Sequence, residues 1–274
     1  MAEMKWFDTH CHLQDEAFEK DRKQVFDRAQ AANVEYILLS TSFIEDAKEA
    51  ANLALQYENV YCAMGIHPQE ASRWDTNSAD NLKKLYQQIG NKAKKLGRDN
   101  PIKAIGEIGL DYHWDNDPHE LQKLVYKEQI RLAHELQLPI IIHERDAFQE
   151  SYHILRWAYD NNLLMKEAGV CHCFSGSWES AQQLIKLGFL IGLDGPVTFK
   201  NARKAKEIAS KIDLNKLLLE TDSPYLTPEP HRGKRNESSY IPFIGQTIAA
   251  LREEKIEMIA KQTLENGKRV FLIK

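Results

Sequence analysis

The chain has 274 residues, 43% of them apolar and 28% charged, with a formal net charge of −4. That length suits a (β/α)8 barrel, and the slightly acidic balance excludes a protein that coats nucleic acid by general positive charge. Any contact with a polyanion must come from a local basic patch or from bound cations.

Taken in chain order, short apolar runs of β character alternate with amphipathic stretches. A strand is expected at Trp6–Asp8, a helix over Asp21–Ala32, a strand at Tyr36–Ser40, a helix over Ile44–Gln56 and a strand at Val60–Met64. The Lys- and Gly-rich segment Asn91–Pro101 reads as a surface loop before a fourth strand at Ile102–Glu107. A helix over Pro118–Leu136 then leads to strands at Ile140–His143 and Gly169–Cys173. Ser177–Leu187 is helical, Phe189–Leu193 extended, Ala202–Lys211 helical and Leu217–Glu220 extended. The tail Gly245–Lys274 closes the chain with one or two helices and an apolar plug, Val270–Ile273. Eight strands alternating with helices imply a parallel sheet covered by helices. The expected fold class is α/β, a (β/α)8 TIM barrel forming one domain over residues 1–274, with its site at the C-terminal ends of the strands.

No apolar run approaches the length of a membrane span, and the polar segment Met1–Asp8 carries no signal-peptide core. A cytoplasmic monomer without membrane contact is therefore expected. The cysteines, Cys11, Cys62, Cys171 and Cys173, sit in apolar segments without disulfide or CxxC spacing and are read as reduced core thiols.

Residues able to hold metal gather where strands end. His10 and His12 end the first run, Glu107 the fourth, His143 the fifth and His172 the sixth, and Asp222 follows the eighth. Such a set can hold one or two divalent cations, since imidazole suits zinc and other first-row ions and carboxylate admits magnesium or manganese. Alternation along a strand puts His10 and His12 on one side and Cys11 on the other. The same alternation predicts that Cys171 and Cys173 point away from His172, toward the helices. Singly, each residue has an ordinary structural explanation: a hydrogen-bonded histidine, a capping carboxylate, an ion pair. Contributions from five strands at one topological end carry the metal reading.

Several strings resemble the TatD family of metal-dependent deoxyribonucleases, within the amidohydrolase superfamily. They are Phe7-Asp8-Thr9-His10-Cys11-His12, Gly65-Ile66-His67-Pro68, Gly106-Glu107-Ile108-Gly109-Leu110-Asp111-Tyr112 and His143-Glu144-Arg145-Asp146. His172-Cys173-Phe174-Ser175-Gly176, Glu220-Thr221-Asp222-Ser223-Pro224-Tyr225-Leu226 and Pro230-His231-Arg232-Gly233-Lys234 complete the set, in the family's order. The resemblance implies one metal on His10, His12, Glu107 and Asp222 and a second on Glu107, His143 and His172, with Glu107 bridging. His113-Trp114 departs slightly from the family pattern, which bears on substrate preference and not on the metals.

The implied chemistry is phosphodiester hydrolysis with two divalent cations (Mg, Mn or Zn) that activate water and neutralise charge. Asp222 is the expected general base, and Glu107 holds the metal spacing. Substrate contacts are expected from His67, Arg145, Lys200, Asn201, Arg232 and Lys234, the last two in the densest basic run, His231–Arg235. Bases of a single strand could stack on one or two of Tyr112, Trp114, Phe174, Trp178 and Tyr225, with Trp114 the best candidate for exposure. The expected activity is a deoxyribonuclease, a 3′–5′ exonuclease on DNA ends. The alternative is a deacylase or amidohydrolase on the same metals, such as a D-aminoacyl-tRNA deacylase, because the site and not the fold decides function. A non-catalytic binding protein would lack a ligand, and none is missing.

Overall fold

The computed structural model describes residues 4–114 and 116–274. Among them are eight strands: β1 (Trp6–Cys11), β2 (Val34–Leu39), β3 (Val60–Met64), β4 (Ile102–Asp111), β5 (Ile140–Arg145), β6 (Gly169–Cys171), β7 (Phe189–Leu193) and β8 (Leu217–Leu219). Nine α-helices accompany them: α1 (Arg22–Ala31), α2 (Ile44–Ala54), α3 (Ser78–Lys95), α4 (His119–Leu136), α5 (Phe148–Asp160), α6 (Trp178–Lys186), α7 (Arg203–Lys211), α8 (Ile241–Arg252) and α9 (Ile256–Val270). All eight expected strands are present. The loop expected over Asn91–Pro101 is half helical, because α3 runs on to Lys95. Arg98 follows it and donates to the carbonyls of Ala54, Leu55, Tyr57 and Glu58, which satisfies the orphan acceptors at the end of α2.

The chain divides into two compact units, the first made of residues 1–39, 172–185 and 190–274, the second of 40–171 and 186–189. In the first unit β7 pairs in parallel with β8, and β1 with β2. The end of β1 is stitched to the segment after β8 by Asp222 N–H to His10 O (2.9 Å) and His12 N–H to Ser223 O (2.8 Å). On its helix side β1 buries Trp6 and Phe7, and the Phe7 ring meets Phe271 at 6.0 Å. Phe271, wholly buried, is the centre of the apolar plug expected at the C-terminus.

In the second unit β3, β4, β5 and β6 follow one another as parallel neighbours. Every residue of β4 is buried, as a strand covered on both faces requires. Two buried glutamines seven residues apart on α4 hold the ends of strands. Gln129 accepts from Ile66 N–H (2.7 Å) and donates to Ile66 O (2.9 Å), while Gln122 accepts from Asp111 N–H (2.9 Å) and donates to Asp111 O (3.0 Å). Each amide side chain thus replaces a missing ladder partner, and the seven-residue spacing puts both on one helix face.

Gly109 sits between the carboxylate-bearing positions Glu107 and Asp111 of β4 with φ of 147°, and a Cβ there would overlap the carbonyl oxygen of His143. Left-handed backbone and close strand approach both demand glycine. Gly109→Ala should cost roughly 3 kcal/mol of stability and displace β5 at His143; a thermal midpoint equal to wild type would show that the two strands can part without penalty.

Candidate metal centre

In the first unit, alternation along β1 carries His10 and His12 to one side, as the sequence implied. Their Nε2 atoms lie 3.3 Å apart, and Asp222 Oδ1 is 3.6 Å from His10 Nε2 and 3.4 Å from His12 Nε2. Two imidazole nitrogens so close cannot both carry protons. A lone pair on one faces the other beside a carboxylate, the donor set that fits a divalent cation. Burial pushes the Asp222 carboxyl up, but His12, His10 and His172 outweigh it and hold the group below its ordinary range. Asp222 is therefore ionised at neutral pH.

His172 stands just beyond β6 and stacks flat on His10, centroids 3.9 Å apart. Cys173 corrects the alternation argument. β6 ends at Cys171, and Cys173 adopts a left-handed φ of 45°. Its sulfur consequently lies with the carboxylate oxygens of Asp194 and Asp222 and not among the helices. Cys11, Cys62 and Cys171 are buried thiols, as expected.

In the second unit, Glu107, His143 and His67 bring one nitrogen or oxygen each to within 4.8 Å of one another. His143 Nδ1 is 2.8 Å from Glu107 Oε1 and its Nε2 is 3.0 Å from Asp111 Oδ2. Both ring nitrogens face carboxylates, so both must donate. Burial alone would lower the pKa of this imidazole, yet Asp111 and Glu107 raise it to about 9. Asp111, not singled out as a site residue from the sequence, is wholly buried and also accepts from Gln69 Nε2 (2.7 Å). Its signal was available: it lies four residues beyond Glu107, on the same side of β4.

His67 caps a short 3-10 turn, its Nδ1 accepting from Gln69 N–H at 3.1 Å. The proton therefore sits on Nε2, which lies 3.5 Å from Glu107 Oε1. That tautomer can donate to an anion. Arg145 is exposed, with its guanidinium 5.7 Å from the ring centre of Trp114, itself half exposed as expected. Tyr112 is committed to packing, stacked on His119 and donating to Glu150 Oε2 at 2.7 Å. In the first unit Lys200, Asn201, Arg232 and Lys234 are exposed, and the Arg232 guanidinium covers the Phe199 ring at 4.3 Å. Phe174 is buried, Trp178 half-buried, and Tyr225 exposed with its ring 6.3 Å from His12. Arg235, the last residue of the basic run, is structural: both terminal nitrogens bind Asp21, at 2.8 and 2.7 Å.

The family model described as TatD related DNase matches residues 7–272. The metal-dependent hydrolase YabD of Bacillus subtilis is 42% identical over 267 residues, covering 97% of this chain and 99% of that protein. The 3′-5′ ssDNA/RNA exonuclease TatD of Salmonella typhimurium is 33% identical over 271 residues, covering 97% and 98%. Among solved structures, the TatD homologue YJJV of Escherichia coli K12 superposes with a TM-score of 0.88 at 29% identity, over 99% of both chains. Eight parallel strands whose sheet order equals their chain order, with helices between them, define the (β/α)8 barrel class. The chain belongs to the TatD family and is a metal-dependent hydrolase of that type. No helix among the described residues is long and apolar enough to cross a membrane.

The sign of the His143 shift sets a pH dependence for the chelator-treated protein. A folded-state pKa raised from 6.5 to about 9 stabilises the fold below the ordinary imidazole range, and that contribution is lost as pH rises through about 9. The thermal midpoint of the stripped protein should fall over that window, and Asp111→Asn should flatten the fall. An identical slope in the variant would mean that the Asp111 contact does not hold the imidazolium.

Proposed function

We propose that this chain is a nuclease that removes nucleotides from the 3′ ends of single-stranded DNA, using two divalent cations (Mg, Mn or Zn). The carrying observation lies within the first unit. The loop that follows β8 carries Asp222 near its start, in the His10–His12 group, and goes on to the exposed cations Arg232 and Lys234. Bound cations would supply Lewis-acid activation of water and neutralise charge on the phosphate. Within the first unit His10, His12, His172 and Asp222 would hold a cation; within the second, Glu107 and His143 would, once the imidazole gives up the Nδ1 proton that faces Glu107.

The chain's own residues account for the remainder. Asp222, ionised and partly exposed, accepts the proton of the attacking water as general base. Asp111 accepts from His143 Nε2–H and keeps that imidazole aimed, while Glu107 holds the metal spacing. His67 Nε2–H donates to a non-bridging phosphate oxygen. Arg145, Arg232, Lys200, Lys234 and the Asn201 amide bind the backbone on either side of the scissile bond, where charge-assisted contacts to phosphate are strongest. Trp114 and Tyr225 offer exposed ring faces for bases, whose stacking tolerates any sequence. The exonuclease name of the Salmonella relative supports this substrate; the Bacillus relative's name supports hydrolysis alone.

Protein loaded with magnesium or manganese should shorten a 3′-labelled single-stranded oligonucleotide stepwise, and EDTA should stop it. Asp222→Asn should lower kcat about 10²- to 10⁴-fold with the fold intact by circular dichroism. A metal-loaded sample that leaves DNA whole but deacylates D-aminoacyl-tRNA would replace the nuclease reading. Arg232→Ala and Lys234→Ala should each raise KM and reduce the salt slope of binding by about one. Salt slopes equal to wild type in both would remove the basic loop from the substrate path.

A further inference from the structure

Three carboxylates and a thiol crowd one region of the first unit, and the ligand set above uses only Asp222. Asp194 is 4% exposed, and its Oδ2 has no hydrogen-bond partner among the described residues. It stands at the N-cap position of the short turn Gly195–Thr198, yet its side chain does not cap that turn. The carboxylate gives up the usual N-cap bond and points at Cys173 and Asp222 instead. One ligand atom from each of the three residues lies within 4.8 Å of the others.

The backbone is shaped to bring them together. Cys173 and Asp222 both adopt left-handed φ, 45° and 55°, a conformation that costs a non-glycine residue free energy and persists only where the surroundings impose it. Behind them Glu220 is wholly buried, its Oε1 accepting from Cys173 N–H and its Oε2 without a partner among the described residues. A side chain at Gly192 would overlap the Glu220 carboxylate, so the strand leaves space for that group. A buried carboxyl oxygen left without a partner is costly. Asp194 Oδ2 and Glu220 Oε2 are two such oxygens beside one thiol, and a cation at Asp194 would supply the missing partner.

We propose that Cys173 Sγ, Asp194 and Asp222 form a further cation position, distinct from the imidazole group and joined to it through Asp222. This assignment takes Asp222 from the ligand set proposed above but does not depend on the nuclease reading. One thiolate with two carboxylates favours a borderline first-row ion such as zinc, cobalt(II) or iron(II) over magnesium. The Cys173 thiol releases its proton to solvent when the cation binds.

Cobalt(II) tests the position, because thiolate coordination adds a near-ultraviolet sulfur-to-cobalt charge-transfer band that imidazole and carboxylate ligands do not give. The full-length protein, stripped with chelator and titrated with cobalt chloride, should develop that band together with visible ligand-field bands. Cys173→Ser should lose the first and keep the second. Asp194→Asn, nearly isosteric, should retain one equivalent of cobalt fewer than wild type after gel filtration. Wild-type protein with ligand-field bands but no sulfur band overturns the position while leaving the imidazole group standing. A sulfur band that survives in Cys173→Ser, or wild-type cobalt content in Asp194→Asn, overturns it as well. Failure to bind any cobalt would overturn both the position and the ligand set it shares.

Discussion

The first unit depends on how one buried carboxylate is satisfied. Asp8 lies wholly buried in the middle of β1 and accepts from the backbone N–H of Thr221 (2.9 Å), the Thr221 hydroxyl (2.7 Å) and the Ser238 hydroxyl (2.6 Å). Burial still pushes its carboxyl up to about 6, so these donors moderate the cost without abolishing it. In exchange the chain gains a fixed register between positions 213 residues apart. Two residues on from Asp8 is His10, and one on from Thr221 is Asp222. The hydrogen bonds that secure Asp8 therefore set the distance between imidazole and carboxylate before any cation arrives. Thr9 reinforces the same seam, its hydroxyl donating to Leu219 O at 2.9 Å.

The second unit meets the same cost with charge. Glu107 and Asp111 rise from one side of β4 and both accept from the single imidazole of His143, so two carboxylates share one cationic ring. Asp111 stays ionised because His143 and Gln69 outweigh its burial and hold it far below the ordinary range. Gln122 on α4 grips the Asp111 backbone, so this charge cluster is tied to a helix and not to a loop. Neutral hydrogen-bond donors in one unit and an ion-paired imidazole in the other hold these buried carboxylates in place, each within its own unit.

How far the sequence could be read follows from these physics. Strands buried on both faces write themselves as unbroken apolar runs, which is why Val60–Met64 and Phe189–Leu193 are expected and found with identical bounds. The groups at strand ends that could hold a metal are legible because imidazole and carboxylate seldom close an apolar run in several strands at once. Cys173 misleads for a definite reason: alternation governs side-chain direction only while the backbone is extended, and the strand stops two residues earlier. Asp194 looks in sequence like a cap before Gly195-Pro196, the commonest role for Asp in that place. Only the geometry reveals a carboxylate turned away from the helix end. The end of α3 was hidden because Lys-rich composition suits an exposed helix face as well as a loop.

The basic run after β8 shows how a chain of net charge −4 can still offer positive charge to a polyanion. Its residues divide by what they touch. Arg235 is spent on Asp21, and beside it Arg28 binds both Asp21 and Glu237. The His231 ring stacks on Tyr240 at 4.3 Å, and the Lys234 carbonyl accepts from Thr227 Oγ1 at 2.5 Å. These contacts hold the loop from below and at both ends, so the charged tips of Arg232 and Lys234 project from a backbone that is already ordered. A loop ordered in advance loses less conformational entropy when a ligand binds. Two well-held cations therefore meet an anion at a smaller entropic cost than the same charges on a mobile segment would.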